Sequence, residues 1–262
     1  MKYHVLGSGS QGNSLLIQSR EANILIDCGL SIKKIKEQLD KSKTALEDID
    51  VILITHGHID HIKSVSGLSN ITRIYMSEKL FEILDNKQKL NHENIICITN
   101  QDKFNIKNIS IQAFPVVHDC IDPMGFVVSC DQEKYGIITD IGKPTDEVRF
   151  FLSGCTRLFI ESNYDIELLM KSDRPWFLKN RILKNNGHLS NVEAGKFIAE
   201  MYHPDLKEVM LMHLSDECNN PQIALNTVLK ELRKREIDFL NIKAVLNDGS
   251  FSAIDSNLIF SN

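Results

Sequence analysis

Short runs of apolar residues, separated by polar and glycine-containing segments, dominate the first half of the chain. Runs of this length between turn-forming residues are typical of buried β-strands. One segment, beginning at Ile109, instead alternates apolar and polar residues, as a strand with one buried face does. The pattern predicts strands at residues 3–6, 14–18, 23–26, 51–55, 73–76, 95–99, 109–117, 125–130 and 135–139.

Apolar residues at helical spacing occur between these strands and become more frequent in the second half of the chain. Ser190, with Glu193 three residues later, forms a capping-box sequence that marks the start of a helix. Helices are predicted at residues 31–39, 60–68, 77–84, 145–152, 166–170, 175–184, 190–201 and 221–235, and further strands at 157–161, 208–212, 244–246 and 250–253. This order predicts two β-sheets flanked by helices, in a single domain covering residues 1–262.

The composition is that of an ordinary globular protein, with 262 residues of which 42% are apolar and 25% charged. No apolar stretch is long enough to cross a bilayer, and the N-terminus lacks the apolar core of a signal peptide. We therefore expect a cytoplasmic protein without membrane contact. The formal net charge of −5 gives no general attraction to nucleic acid, so that such a partner requires a local basic patch.

The segment from Thr55 to His61 contains three histidines and an aspartate directly after the apolar run 51–54. His56 and His58 are two residues apart, so on extended backbone both side chains point the same way and can reach one ion. Asp60 and His61 follow where the chain is predicted to turn into a helix, and could face a second ion. Neutral imidazole and carboxylate are the usual ligands of catalytic zinc, iron and manganese.

Polar residues able to bind a metal recur at the carboxyl ends of other predicted strands. His118 follows an apolar run, as do Asp140 and His213, and Asp27 repeats the pattern at the end of strand 23–26. Independent placement would scatter such residues over helices and strand middles. The arrangement indicates that these strand ends supply further ligands to the site.

A T-H-x-H-x-D-H motif after a strand, followed by isolated His, Asp and His at later strand ends, resembles the metallo-β-lactamase fold superfamily. The resemblance covers essentially the whole chain and implies an α/β (α+β) fold, a four-layer αββα sandwich with two metals in a cleft at the strand ends. The implied ligands are His56, His58 and His118 for one metal, Asp60, His61 and His213 for the other, and Asp140 between them. Asp27 would brace the histidine-rich loop.

Two divalent ions roughly 3.5–4 Å apart lower the pKa of a shared water and neutralise charge developing on a phosphoryl or carbonyl oxygen. Asp60 and Asp140 give the second half of the site oxygen ligands, which accept manganese or iron as well as zinc. The expected cofactors are therefore two divalent metal ions per chain, Mn²⁺, Zn²⁺ or Fe²⁺.

Two later motifs, E-S-N-Y-D at 161–165 and G-H-L-S-N at 187–191, resemble those of the nuclease branch of the superfamily. That resemblance implies that Glu161 orients His188, and that His188 stabilises the phosphate or protonates the leaving oxygen. The expected catalytic residues are then Asp60, Glu161 and His188. The plainer interpretation is a surface carboxylate at a strand end and a solvent-exposed imidazole at the start of a helix.

The opening G-S-G-S-Q-G-N-S, the D-C-G-L at Asp27 and the motifs above are most similar to the small bacterial YycJ (WalJ) group, described as 5′-to-3′ DNA exonucleases. The resemblance implies a dinuclear-metal hydrolase of phosphodiester bonds with DNA as its substrate. Two alternatives remain. One is a small-molecule hydrolase of a thioester, lactone or cyclic phosphodiester, and the other is a nucleic-acid-binding protein in which metals mainly stabilise structure.

A basic stretch at 171–184 could attract a phosphate backbone, with an aromatic side chain available to stack on a base. Its residues of interest are Lys171, Arg174, Trp176, Phe177, Lys179, Arg181 and Lys184. A solvated helix face with Trp176 packed into the core accounts for the pattern equally well.

The segment from Gly7 to Gly12 matches G-x-G-x-x-G, but a second strand is predicted where a dinucleotide-binding fold requires a helix. We therefore expect a hairpin, whose loop could line the cleft and bring Asn13 to a phosphate. The other histidines (His4, His92 and His203) are expected to be ordinary surface or core residues. The six scattered cysteines are expected to be buried, reduced thiols.

Overall fold

The computed structural model describes residues 1–253 and contains two β-sheets. The first sheet has six strands whose spatial order follows the chain. They are β1 (Lys2–Gly7), β2 (Ser14–Gln18), β3 (Asn23–Ile26), β4 (Val51–Leu53), β5 (Arg73–Ser77) and β6 (Ile95–Ile98). The first three are antiparallel neighbours, and β3 to β6 run parallel to one another.

The second sheet has eight strands, again in chain order. They are β7 (Lys103–Ile106), β8 (Ile109–Pro115), β9 (Met124–Cys130), β10 (Glu133–Ile138), β11 (Arg157–Glu161), β12 (Glu208–Met212), β13 (Ile242–Val245) and β14 (Phe251–Ala253). The four strands β10 to β13 are parallel, so their carboxyl ends lie at the same edge of the sheet.

The α-helices connect these strands. They are α1 (Ile32–Lys41), α2 (Ile59–Ile62), α3 (Val65–Leu68), α4 (Glu78–Asp85), α5 (Asp146–Leu152), α6 (Ile166–Lys171), α7 (Trp176–Leu183), α8 (Asn191–Met201) and α9 (Pro221–Arg233). Short 3-10 helices occur at Leu46–Asp48 and His92–Asn94. None of the helices within residues 1–253 combines the length and apolar character needed to cross a membrane.

Three apolar clusters define four layers. One cluster joins the inward faces of the two sheets, with Ile24 and Leu53 from the first and Phe126 and Phe159 from the second. A second cluster packs the outer face of the first sheet against α1, α3 and α4. The third packs the outer face of the second sheet against α5, α8 and α9. The predicted αββα sandwich is therefore confirmed.

Every predicted strand is present, with ends that differ by a few residues at most, but the sequence pattern missed β7. This edge strand has four residues, and its Lys103 and Asn105 are exposed, so it lacks a clear apolar pattern. The predicted domain runs to residue 262, and residues 254–262 lie outside the described part of the chain.

The single helix predicted at 60–68 is wrong, because the structure has two short helices, α2 and α3, in its place. Ser64 separates them. Its backbone N–H donates to the carbonyl oxygen of Cys28, and its hydroxyl donates to that of Leu30. These tertiary hydrogen bonds replace the helical ones. The capping box of α8 is as predicted, since Ser190 and Glu193 bond each other's backbone N–H groups.

The sheet-to-sheet core predicts a large stability difference between two phenylalanines. Phe159 is fully buried, and its ring packs edge-on against Tyr3 of the opposite sheet at 4.9 Å between centroids. We expect Phe159→Ala to lower the free energy of unfolding by about 3–5 kcal/mol. Phe150→Ala removes the same atoms from a side chain on α5 that is 75% exposed. It should change the free energy of unfolding by only about 0.5 kcal/mol. Urea denaturation measures both, and equal losses would contradict this placement of the core.

Candidate metal centre

Backbone geometry at three strand ends helps to form the site. Asp27 follows β3 directly, His213 follows β12 directly, and Asp140 lies two residues after β10. All three have left-handed backbone, with φ of 60° for Asp27, 54° for Asp140 and 56° for His213. This conformation is uncommon for residues other than glycine, although Asp, Asn and His adopt it more readily, and it clusters at functional sites. The chain therefore turns sharply where each of these side chains is needed.

The structure brings His56, His58, His118 and Asp140 into one cluster whose potential ligand atoms lie within 4.8 Å of one another. Nδ1 of His58 lies 3.0 Å from Nε2 of His56 and 3.2 Å from Nε2 of His118. Nδ1 of His118 donates to the carbonyl oxygen of Gly187 at 2.9 Å, which leaves a lone pair on its Nε2. Three ring nitrogens thus converge where a cation can bind them.

A second cluster contains Asp60, His61 and His213. Nδ1 of His61 donates to Asp27 at 2.7 Å, and Nδ1 of His213 donates to Glu161 at 2.9 Å. Both rings therefore turn Nε2 toward the cleft, where Nε2 of His213 lies 3.4 Å from the carboxylate of Asp60. Holding one ring nitrogen with a carboxylate while the other faces the ion is the usual arrangement around bound metals.

Asp140 lies between the two clusters. Its Oδ1 is 3.7 Å from Nε2 of His118, and its Oδ2 is 3.0 Å from Nε2 of His61. Apart from this ion pair, the buried Oδ2 has no hydrogen-bond partner among residues 1–253. A buried carboxylate oxygen without a partner is unfavourable unless a cation binds it. The donor set and this oxygen fit divalent metal ions, and the carboxylate of Asp140 is within reach of both clusters.

The electrostatics differ between the two clusters. Burial lowers the pKa of His56 well below its usual value, and burial also lowers the pKa values of His58 and His118. Burial opposes charge on His61 as well, but Asp140 and Asp27 outweigh it and raise the pKa of His61 to about 10. Because a metal ligand must be unprotonated, binding of a metal at the second cluster would release protons.

Thr55 and Asn13, to which the sequence assigned no supporting role, hold the histidine-rich loop in place. Thr55 donates its backbone N–H to Asp27 at 2.8 Å, and its hydroxyl lies 3.0 Å from Nδ1 of His56. The side-chain amide of Asn13 donates to the backbone oxygen of Gly9 and approaches the carboxylate of Asp60 at 3.3 Å. Asn13 is only 4% exposed, so the idea that it meets a phosphate is wrong. The predicted β1–β2 hairpin is present around it.

Glu161 and His188 form a pair beside the clusters. Glu161 is fully buried, which rules out the surface-carboxylate interpretation. Its Oε2 accepts backbone N–H groups of Ile141 and Leu189, both at 3.0 Å. Its Oε1 accepts Nδ1 of His188 at 2.7 Å, in addition to Nδ1 of His213. Burial opposes charge on His188, but Glu161 outweighs it and raises the pKa of that imidazole.

A cavity of about 320 Å³ lies over these groups and is lined by His58, Asp60, Asp140, His188 and His213. Of the basic side chains in the stretch 171–184, two line the cavity, namely those of Arg174 and Arg181. Lys179 is buried, and its ammonium donates to the carbonyl oxygens of Met170 and Ser172. Trp176 is 64% exposed, so the alternative that packs it into the core is wrong.

The remaining histidines lie outside the clusters. His92 pairs with Asp85 on the surface, and His203 faces the carbonyl oxygen of Cys155. The six cysteines are all free; four are buried, Cys120 is half-buried, and Cys97 is exposed, contrary to expectation.

An αββα sandwich with paired histidine–aspartate clusters at its strand ends defines a hydrolase of the metallo-β-lactamase class. A family model described as a beta-lactamase superfamily domain matches residues 22–214, and the chain belongs to that superfamily. Membership implies divalent metal ions at these clusters.

Relatives are similar over most of the chain. Exodeoxyribonuclease WalJ of Streptococcus pneumoniae is 32% identical over 243 residues, which cover 90% of each chain. Exodeoxyribonuclease YycJ of Bacillus anthracis is 30% identical over 241 residues, again 90% of each. Among solved structures, the metallo-β-lactamase fold protein YhfI from Bacillus subtilis superposes with a TM-score of 0.71 at 18% identity, covering 95% of this chain and 97% of that one. The last similarity concerns the fold alone.

The contacts of Asp27 predict an effect on metal affinity. We expect Asp27→Asn to weaken metal binding about 10–100-fold, because the amide cannot accept from both His61 and Thr55 as the carboxylate does. Asp131→Asn is a matched control, since Asp131 is exposed and has similar left-handed backbone with φ of 54°. Competition with a chelator measures the affinity. Equal affinities in the two variants would show that Asp27 does not support the metal ligands.

Proposed function

We propose that this protein binds two divalent metal ions and hydrolyses phosphodiester bonds in DNA, releasing nucleotides from a 5′ end. The observation that carries the proposal is the pair of Glu161 and His188, which lies against the cavity beside both metal-ligand clusters. Two relatives that are similar to 90% of this chain are named exodeoxyribonucleases, and this supports DNA as the substrate.

The residues that would hold the metals are those of the two clusters. His56, His58 and His118 would hold one, Asp60, His61 and His213 the other, with Asp140 shared. Bound there, the ions would lower the pKa of water and neutralise charge on the phosphoryl oxygens. The carboxylates of Asp60 and Asp140 make the second cluster suitable for Mn²⁺ or Fe²⁺ as well as Zn²⁺.

His188 has the geometry of a proton donor. Its Nδ1 is held by Glu161, so its Nε2 is left to face a substrate in the cavity that the ring lines. The side chain is 17% exposed, which excludes most water yet leaves the ring accessible. A proton on Nε2 can pass to the oxygen that leaves phosphorus, while Glu161 stabilises the charged ring and fixes its orientation. Glu161 is itself held by two backbone N–H groups, so the pair is rigid.

The first prediction of this proposal concerns activity and its dependence on metal. Purified protein supplied with Mn²⁺ should release the labelled nucleotide from 5′-labelled DNA and progressively shorten 3′-labelled DNA, and a chelator should stop both reactions. His58→Ala should abolish both, because this imidazole contacts both of its neighbours in the first cluster. Hydrolysis of a lactone or thioester with DNA left intact would favour the small-molecule alternative. Full activity in the variant would contradict a metal-dependent mechanism at this site.

The second prediction separates the proton donor from the metal ligands. We expect His188→Ala to lower kcat on DNA by about 10²–10⁴-fold, since general acid catalysis contributes on that order. The metal content, measured by elemental analysis, should stay close to two per chain, because His188 is not among the proposed ligands. His92→Ala, which removes a surface imidazole bonded to Asp85, should have wild-type kcat. An unchanged kcat in the His188 variant would remove this residue from the mechanism.

A further inference from the structure

One wall of the cavity is not explained by metal binding or proton transfer. It consists of α7 and the segment before it, from which Arg174, Leu178, Arg181 and Ile182 line the cavity. The last three recur at helical spacing, so they form one face of α7. A guanidinium group only donates hydrogen bonds and offers no lone pair to a metal, so neither arginine serves as a metal ligand. The catalytic cavity therefore has a cationic wall beside its metal ligands.

Each of these guanidinium groups is positioned by a carboxylate. Arg181 forms a bidentate pair with Asp119 through Nε and Nη2, and Arg174 donates to Glu217 through Nε at 2.8 Å. In both residues the Nη1 amino group has no hydrogen-bond partner within the described chain. A guanidinium that is oriented through one edge and open at another is suited to bind a phosphate oxygen.

An exposed aromatic ring adjoins the same wall. Phe177 lies four residues before Arg181 on α7, so the two side chains are neighbours on the helix surface. Phe177 is 75% exposed and Arg181 is half-exposed. Exposed aromatic rings beside cationic groups are the means by which proteins bind single-stranded nucleic acid, since any base can stack on the ring.

We propose that this wall binds the strand beyond the scissile bond, with Arg174 and Arg181 holding neighbouring phosphates and Phe177 stacking on a base. The inference rests on the proposed function and assigns the residues that bind the DNA strand away from the reacting phosphate. A small phosphodiester has only the phosphate that the metal centre takes, so it gains nothing from two further cations and a ring. A strand that continues past the cleavage site contacts all three.

The test compares two substrates in the Mn²⁺-loaded protein, a single-stranded oligonucleotide and bis(p-nitrophenyl) phosphate. We expect the ratio of their kcat/KM values to fall about tenfold in Arg181→Gln and in Arg174→Gln, as for loss of a charged hydrogen bond. Arg174→Gln leaves the Asp119 carboxylate paired, so its effect cannot come from a new charge near His118. Phe177→Ala should lower the ratio about as much through lost stacking.

Salt dependence distinguishes phosphate contacts from a structural effect. The slope of log KM for the oligonucleotide against log salt concentration should become shallower by about 0.7 in each arginine variant and stay unchanged in Phe177→Ala. Arg235→Gln is the control, because Arg235 is about as exposed as Arg181 and pairs with Glu200, at the far end of α8 from His188. The Arg235→Gln variant should keep the wild-type ratio of the two kcat/KM values and the wild-type salt slope.

Two outcomes separate this inference from the proposed function. In the first, the wild type cleaves the oligonucleotide while the arginine variants keep its kcat/KM ratio and its salt slope. That result would contradict strand binding by this wall but not the proposed nuclease activity. Turnover of bis(p-nitrophenyl) phosphate by the wild type, with no cleavage of DNA, would contradict both the proposed function and strand binding by this wall.

Discussion

The buried carboxylate of Asp140 is the constraint on which the site depends. It is 2% exposed, and its oxygens face His118 of one cluster and His61 of the other. The neighbouring histidines, His213 foremost, overcome the effect of burial and hold the pKa of Asp140 well below its usual value. A charged group there needs positive charge on both sides. Protons on the histidines can supply it, and divalent ions can replace those protons, so metal binding and the stability of this edge are linked.

The two-sheet architecture supplies these groups without long loops. The parallel strands β10, β11 and β12 end at one edge of the second sheet, and β3 and β4 end at the facing edge of the first. Left-handed backbone at Asp27, Asp140 and His213 then turns the chain within one or two residues of the strand end. Side chains that are far apart in sequence are therefore held by rigid strands, which locates them more accurately than flexible loops would.

The order of apolar segments and the family resemblance predicted the αββα fold. Candidate ligands could be placed at strand ends because metal-binding residues directly after buried apolar runs are unusual. What the sequence missed depends on tertiary contacts. Asn13 braces Asp60 across 47 residues, and no local pattern marks such a pair. The sequence groups Lys179 with a basic patch, yet its ammonium donates to carbonyl oxygens at the end of α6. That contact exists only once α6 and α7 have packed. Charge alone did not distinguish it from Arg181, which lines the cavity.

Glu161 connects the metal centre to the proposed proton donor. One of its oxygens accepts from Nδ1 of both His213 and His188, at 2.9 and 2.7 Å. The orientation of a proposed metal ligand and that of the proposed proton donor therefore depend on the same atom. Since the other oxygen is fixed by the backbone N–H groups of Ile141 and Leu189, the carboxylate cannot turn toward one ring without weakening its other bonds. The fold thus fixes the positions of His213 and His188 relative to each other before any substrate binds, as preorganised catalysis requires.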